Sequence, residues 1–183
     1  MPSALKAARA WIARALPSGG IAVDATAGLG RDTLFLARRV GPTGRVVAFD
    51  IQPAALAAAA ARIQAARLEE RVSFVLAGHE TLDAHVSSFH AVMFNLGFLP
   101  RSDKRIITRP DTTLAALECA IVRLEPAGAI TIVAYPGHPG GAEECAAVED
   151  RLRRLAAREF EVACYRRLTP RAAEPTLFAL RRR

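Results

Sequence analysis

Apolar runs and helix-periodic segments alternate along this chain. "GIAVDAT" (20–26) is a run rich in Ile and Val that ends in a glycine loop. Over 31–40, Leu34, Leu36, Ala37 and Val40 fall at helical spacing. "GRVVAFD" (44–50) reads as a second strand, opened by a turn over Pro42–Gly44. The alanine-rich segment 53–67 reads as a helix, with Pro53 suited to its first turn. "RVSFVLA" (71–77) and "HAVMFN" (90–95) are strands three and four. A helix is predicted over 111–123 with Asp111 or Thr112 as its N-cap. "GAITIVAYP" (128–136) is strand five, and 141–158 a charged amphipathic helix. "FEVACYRRL" (160–168) and "PTLFALRRR" (175–183) are two final strands. Residues 4–16 are apolar but interrupted by Lys6, Arg9 and Arg14. That spacing predicts a packed helix, because a signal peptide requires an unbroken apolar centre.

Repeated strand–helix alternation with near-continuously apolar strands implies a parallel sheet covered on both faces. The last two strands have no room for a helix between them, so they should pair antiparallel. The expectation is one α/β domain over 1–183: an N-terminal helix within 1–19, then a doubly wound, mostly parallel seven-stranded core over 20–183 with an antiparallel C-terminal strand.

Composition adds three constraints. No stretch approaches the roughly 20 apolar residues of a membrane helix. Cys119, Cys145 and Cys164 are odd in number and widely spaced. They suit neither a disulfide framework nor a zinc site, and predict buried free thiols and a cytoplasmic location. Charge is lopsided: residues 1–150 hold 15 basic and 15 acidic side chains, whereas 151–183 hold 10 and 3. A basic stripe of this kind suits a polyanion such as nucleic acid, and equally a solvated arginine face with a frayed Arg181-Arg182-Arg183 end.

In a doubly wound sheet, ligands sit at the carboxyl ends of the strands. The first such loop is Asp24-Ala25-Thr26-Ala27-Gly28-Leu29-Gly30, followed by Asp32 and Thr33. Gly28 and Gly30 let backbone approach a ligand at a helix N-terminus. A phosphate-binding P-loop needs Gly-Lys-Ser/Thr, which is absent. A dinucleotide fingerprint needs glycine where Thr33 stands, and a carboxylate at Asp24 repels a pyrophosphate. S-adenosylmethionine is a cation without phosphate, so Asp24 can hold its ammonium group or a water bridging to it. Asp50 ends strand two and can accept from both ribose hydroxyls of either cofactor; it can also cap the helix after Pro53. Gln52 is a rim or surface residue. Gly78-His79-Glu80 follows strand three.

The loop after strand four is the most informative. Asn95-Leu96-Gly97-Phe98 places an amide, a flexible residue and an aromatic at a strand end. An amide oxygen and a neighbouring backbone carbonyl can accept hydrogen bonds from a target amine and aim its lone pair at a methyl donor. Gly97 permits close approach, and Phe98 can stack on a base. The bland alternative is that Asn95 caps a turn and Phe98 is core.

Taken in order, Asp24-Ala25-Thr26…Gly28-Leu29-Gly30-Arg31-Asp32-Thr33, Phe49-Asp50-Ile51-Gln52, Phe94–Pro100 with Asp103-Lys104, and Tyr135…Gly137-His138-Pro139 closely resemble the Putative rRNA methylase family. That family includes bacterial tRNA methyltransferases acting on the aminomethyl group of wobble 2-thiouridine. The resemblance runs from about residue 20 to the C-terminus. It implies the class I methyltransferase (Rossmann-like) fold, S-adenosylmethionine as cofactor, tRNA as partner and no metal. It also implies cofactor contacts from Asp24, Thr26, Gly28, Gly30, Asp32, Thr33, Asp50, Gln52, His79, Glu80 and Asn95. Methyltransferases usually hold the adenine amino group with an acidic residue after strand three; here His79 takes that step, with Glu80 beside it. Gly97, Phe98, Lys104 and Tyr135 become substrate contacts. Relatives commonly carry tyrosine where Phe98 stands, which excludes a phenol role there. An alkylamine is mostly protonated at neutral pH and must be bound or made neutral; with Asn95 orienting it, Asp103 and His138 are the candidate bases. Two other classes remain as alternatives: a nicotinamide-dependent oxidoreductase and a non-catalytic RNA-binding module. The oligomeric state, a homodimer included, is open.

Overall fold

The computed structural model describes residues 3–97, 107–167 and 174–183. Seven strands form one sheet: β1 (Ile21–Asp24), β2 (Arg45–Asp50), β3 (Val72–Leu76), β4 (Phe89–Asn95), β5 (Leu124–Ala134), β6 (Phe160–Tyr165) and β7 (Thr176–Arg182). Their spatial order is β3-β2-β1-β4-β5-β7-β6, and β7 alone runs against its neighbours β5 and β6. The helices are α1 (Ala4–Ala15), α2 (Arg31–Arg39), α3 (Pro53–Ala65), α4 (Pro110–Arg123) and α5 (Gly141–Arg153).

Two apolar clusters cover the two faces. Ala8, Ile12 and Leu16 around α1 pack with Leu36 and Ala37 of α2 and Ile63 of α3. Leu117, Ala120 and Ile121 of α4 and Val148 and Leu152 of α5 cover the other face, with Phe49, Phe89, Phe94 and Phe178. Central strands are therefore buried on both sides, which is why they read as unbroken apolar runs. Ser3 accepts a hydrogen bond from the Lys6 N–H and caps α1.

Several boundaries differ from the sequence reading. α4 is capped by Arg109, not by Asp111 or Thr112, because Pro110 takes the first helical position, where a missing N–H is harmless. β5 begins at Leu124 rather than 128. Ala127 turns through φ 62°, and the register with β4 shifts there. At Gly128 a Cβ would lie 2.8 Å from the Glu125 carbonyl and 2.9 Å from that of His90. The glycine thus marks an irregularity inside the strand instead of its start. α5 stops at Arg153, since a turn closed by Glu159 and Phe160 N–H groups on the Ala156 carbonyl redirects the chain into β6. Cys119 and Cys145 are only partly buried and Cys164 is exposed, so burial of all three thiols does not hold. The reason is placement on helix flanks and on the edge strand β6.

Candidate active site

The loops that leave β1 to β5 meet at one end of the sheet around a cavity of about 540 Å³. Of the predicted site residues, Thr26, Gly28, Asp32, Asp50, Gln52, His79, Glu80, Asn95, Gly97 and Tyr135 line it. Asp24, Gly30 and Thr33 are buried behind this lining, and His138, partly buried, is not among the lining residues. Phe98, Asp103 and Lys104 lie outside the described residues.

The first loop is built on Asp24, which is 1% exposed. Its carboxylate accepts from the Thr33 hydroxyl (2.6 Å) and the Thr26 N–H (3.2 Å). Burial, with Asp32 nearby, raises its pKa from 3.8 to about 7. Asp24 therefore supports the loop from beneath and makes no direct contact with the cavity, and Thr33 serves it. Gly30 also differs from its expected role. A Cβ there would sit 2.7 Å from Ala59 Cα, and φ is +73°. The glycine lets α2 start against α3; close packing of two helices accounts for it.

Two hydrogen bonds stitch the loops together. The Gly28 N–H donates to Asp50 Oδ2 (2.9 Å), while Asp50 Oδ1 accepts from the Gln52 N–H (2.9 Å). The Asn95 N–H donates to Thr26 Oγ1 (2.8 Å). Asp50 is thus both a wall of the cavity and the clasp between the first and second loops. Asn95 Oδ1 is buried and accepts no hydrogen bond among the described residues. An unsatisfied buried acceptor is unfavourable unless a ligand completes it.

His79 is buried. Its Nδ1 lies 3.2 Å from the Ala25 carbonyl, and burial pushes its pKa down. The ring is neutral, and because a carbonyl only accepts, the proton is on Nδ1. Nε2 is then a buried acceptor without a partner among the described residues. The Glu80 carboxylate folds back over Gly78. Tyr135 is half-buried, and burial raises its pKa, so it stays a phenol.

The stem of the fourth loop uses residues that sequence reading passed over. Gly97, at φ +116°, donates its N–H to Thr108 Oγ1 (2.8 Å) and accepts from the Thr108 N–H (3.0 Å). Thr108 Oγ1 donates to Glu144 Oε2 (2.8 Å), and Thr113 Oγ1 donates to Glu144 Oε1 (2.6 Å). Glu144 is 1% exposed. One buried carboxylate on α5 thereby fastens α4 and both ends of the loop stem. The His138 ring packs beside Gly97 and over Gly141, where a Cβ would come within 2.9 Å of it.

α1 also enters the site, although its sequence carries no motif. Leu5 and Arg9 line the cavity. Arg9 donates to Asp32 Oδ1 (2.8 Å) and to the Arg31 carbonyl (3.2 Å), with its guanidinium 5.5 Å from the Phe35 ring centroid. The only advance signal was that Arg9 is one of three basic residues interrupting an apolar helix, a pattern that fits a solvated face equally well.

Among the described residues no group of His, Cys, Asp or Glu could hold a metal ion, and no helix is long and apolar enough to cross a membrane. None of the described arginines beyond residue 150 lines the cavity. Arg151, Arg153, Arg154, Arg158, Arg166 and Arg167 each pair with a carboxylate.

Comparison with known proteins gives this geometry a family. The chain is 36% identical to a Clostridium thermocellum protein designated an rRNA methylase, with a TM-score of 0.96 over 100% of this chain and 98% of that one. It is 31% identical to a Streptococcus mutans protein designated a methyltransferase and solved in complex with SAH. There the TM-score is 0.90 over 100% and 99% of the two chains. A chloroplastic tRNA (mnm5s2U34)-methyltransferase of Arabidopsis thaliana is 39% identical over 145 residues, 73% of this chain. The chain spans about half (53%) of that relative's length. The architecture is the class I methyltransferase fold. Residues 46–181 match the model of the Putative rRNA methylase family, and the chain belongs to that family.

Proposed function

We propose that this chain transfers a methyl group to the aminomethyl nitrogen of a wobble 2-thiouridine in tRNA, giving 5-methylaminomethyl-2-thiouridine. The chain is a methyltransferase and its cofactor is S-adenosylmethionine. The cavity fits that cofactor: a glycine-turn backbone at Gly28, a carboxylate at Asp50 and a buried acceptor, His79 Nε2, without a partner among the described residues. When bound, the cofactor supplies an electrophilic methyl group on a cationic sulfur. Asp50 would take the ribose hydroxyls, and His79 with Glu80 the adenine edge.

The observation that carries the reading is Asn95 Oδ1. It is an acceptor held at the end of β4, beside a glycine that lets a substrate come close. A neutral amine donates its N–H to this oxygen, which leaves the lone pair free to point at the methyl carbon. The new N–C bond would form as the methyl–sulfur bond breaks, its electron pair staying on the now neutral sulfur, and the resulting ammonium would shed a proton to a base or to water. The name of the Arabidopsis relative supports the wobble uridine as the acceptor. The test is a single-turnover reaction with purified protein and tRNA bearing the aminomethyl precursor, read by nucleoside mass spectrometry. One added methyl on the wobble nucleoside is expected. Methylation of rRNA with none on tRNA would sink this substrate.

Two binding predictions follow from the geometry. Asp50→Ala should weaken S-adenosylmethionine binding by about 1.5–3 kcal/mol, tenfold or more in dissociation constant. It loses a charged acceptor and also releases the Gly28 N–H. Unchanged affinity by calorimetry in a folded variant would remove Asp50 from the cofactor site. The second concerns pH. Asp24 is about half protonated near pH 7, and a cationic ligand nearby favours its ionised form. Binding then lowers this pKa and releases a proton, so affinity should rise as pH increases through about 7. Calorimetry in buffers of differing ionisation enthalpy reads the proton directly. A flat affinity profile without proton release would mean that Asp24 keeps one protonation state.

A further inference from the structure

The surplus positive charge of the sequence lies in residues 151–183, and the fold carries its Arg181–Arg183 end away from the site. β7 is antiparallel, so Thr176 pairs with Ala134 near the cavity end while Arg181 pairs with Ala129 toward the other. Asn95 pairs with Val133, which sets the level of the site. Five strand residues separate Thr176 from Arg181, about 17 Å along the sheet. Arg166 and Arg167 follow β6 at the Thr176 end, and each pairs with a carboxylate without lining the cavity.

Three other arginines, from three different elements, reach the same cavity: Arg9 of α1, Arg31 at the start of α2 and Arg109 at the cap of α4. Arg31 is exposed and makes no side-chain ion pair among the described residues. Arg9 is held by Asp32 and the Arg31 carbonyl, with its side chain 36% exposed. Among the described residues the Arg109 guanidinium pairs with Asp111, and both are mostly exposed, at 70% and 63%. An exposed pair of that kind contributes little and yields readily to a stronger anion. The lining behind them is acidic, with Asp32, Asp50 and Glu80. The cavity therefore has a carboxylate lining suited to a cationic cofactor and an amine, and a guanidinium rim.

We propose that Arg9, Arg31 and Arg109 form the surface that grips the RNA backbone, and that the Arg181–Arg183 end does not. This rests on the reading of RNA as substrate. A base that enters the cavity leaves its flanking phosphates at the mouth, since the charged backbone cannot follow it into a cleft this small. Guanidinium forks match phosphate geometry and can hold it bidentately. Arg9 is the pre-set member, its guanidinium fixed by Asp32 and Phe35; Arg31 and Arg109 are the pair free to reorient.

The experiment is binding of a fluorescent anticodon stem-loop RNA, measured by anisotropy over a range of salt concentrations. Each phosphate contact in a single-stranded loop contributes about 0.7 to the slope of log K against log salt. The double variant Arg31→Gln/Arg109→Gln should flatten that slope by about 1.4 and leave S-adenosylmethionine affinity unchanged. Arg181→Gln/Arg183→Gln should leave the slope as it is. If the rim variant binds with the wild-type slope while the tail variant flattens it, the rim assignment is overturned and the tail is the RNA surface. If the wild-type protein binds no RNA at any salt, the tRNA reading itself fails, which is a distinct outcome.

Discussion

Asn95→Ala should slow single-turnover methylation of tRNA on the order of a hundredfold while fold and cofactor affinity stay nearly intact. The Asn95 backbone N–H, which binds Thr26, survives the substitution, so the tie between the first and fourth loops is kept. What disappears is a buried oxygen that has no partner among the described residues, so no interaction within the described protein is broken. Misplacing a nucleophile by about 1 Å suffices for an effect of that size. Asn95→Asp is the sharper probe. A carboxylate still accepts hydrogen bonds, but it also stabilises the protonated, unreactive amine. Its activity should be low at neutral pH and recover in part as pH rises. Near-normal turnover of Asn95→Ala, with unchanged thermal melts, would make the residue a turn cap.

The second large effect belongs to Glu144. Its two oxygens accept from Thr108 and Thr113, and Thr108 in turn holds Gly97. Hydrogen bonds to a charged group contribute about 1.5–3 kcal/mol each. Glu144→Ala deletes two of them and leaves two hydroxyls searching for partners in the interior. A loss of stability on the order of 3 kcal/mol is expected from denaturant unfolding. Turnover should fall further than cofactor affinity, because the loosened stem is that of the acceptor loop. Thr108→Val isolates that second consequence, for it removes the acceptor of the Gly97 N–H while Glu144 keeps Thr113. Its effect on turnover should not add to that of Glu144→Ala, as both act through one chain of contacts. Full additivity in the double variant would mean that Thr108 and Glu144 act separately.

Much of the site was legible because strand ends announce themselves. An apolar run stops at Asp24, Asp50 and Asn95, where burial ends and backbone must turn, and those are the residues that face or support the cavity. Gly30 and Asp24 also carry structural roles that the sequence did not reveal. Glycine spacing looks the same whether a ligand or Ala59 approaches, and only the α2–α3 contact separates the two. Glu144, Thr108 and Arg9 were not legible at all. Each sits on a helix or loop far along the chain from the residue it serves, with no local pattern to mark it.

The order of elements, the doubly wound class and the loops that carry chemistry follow from the sequence alone, since the 2.0 and 3.6 periodicities of burial are local properties. Tertiary structure decided the rest. Insertion of β7 between β5 and β6 placed the arginine tail at the far end of the sheet. Packing of α1 against β5 brought Arg9 to the cavity. The physical reason is that charge counted along a chain is a sum, whereas a polyanion meets charge at positions, and long-range strand pairing sets those positions.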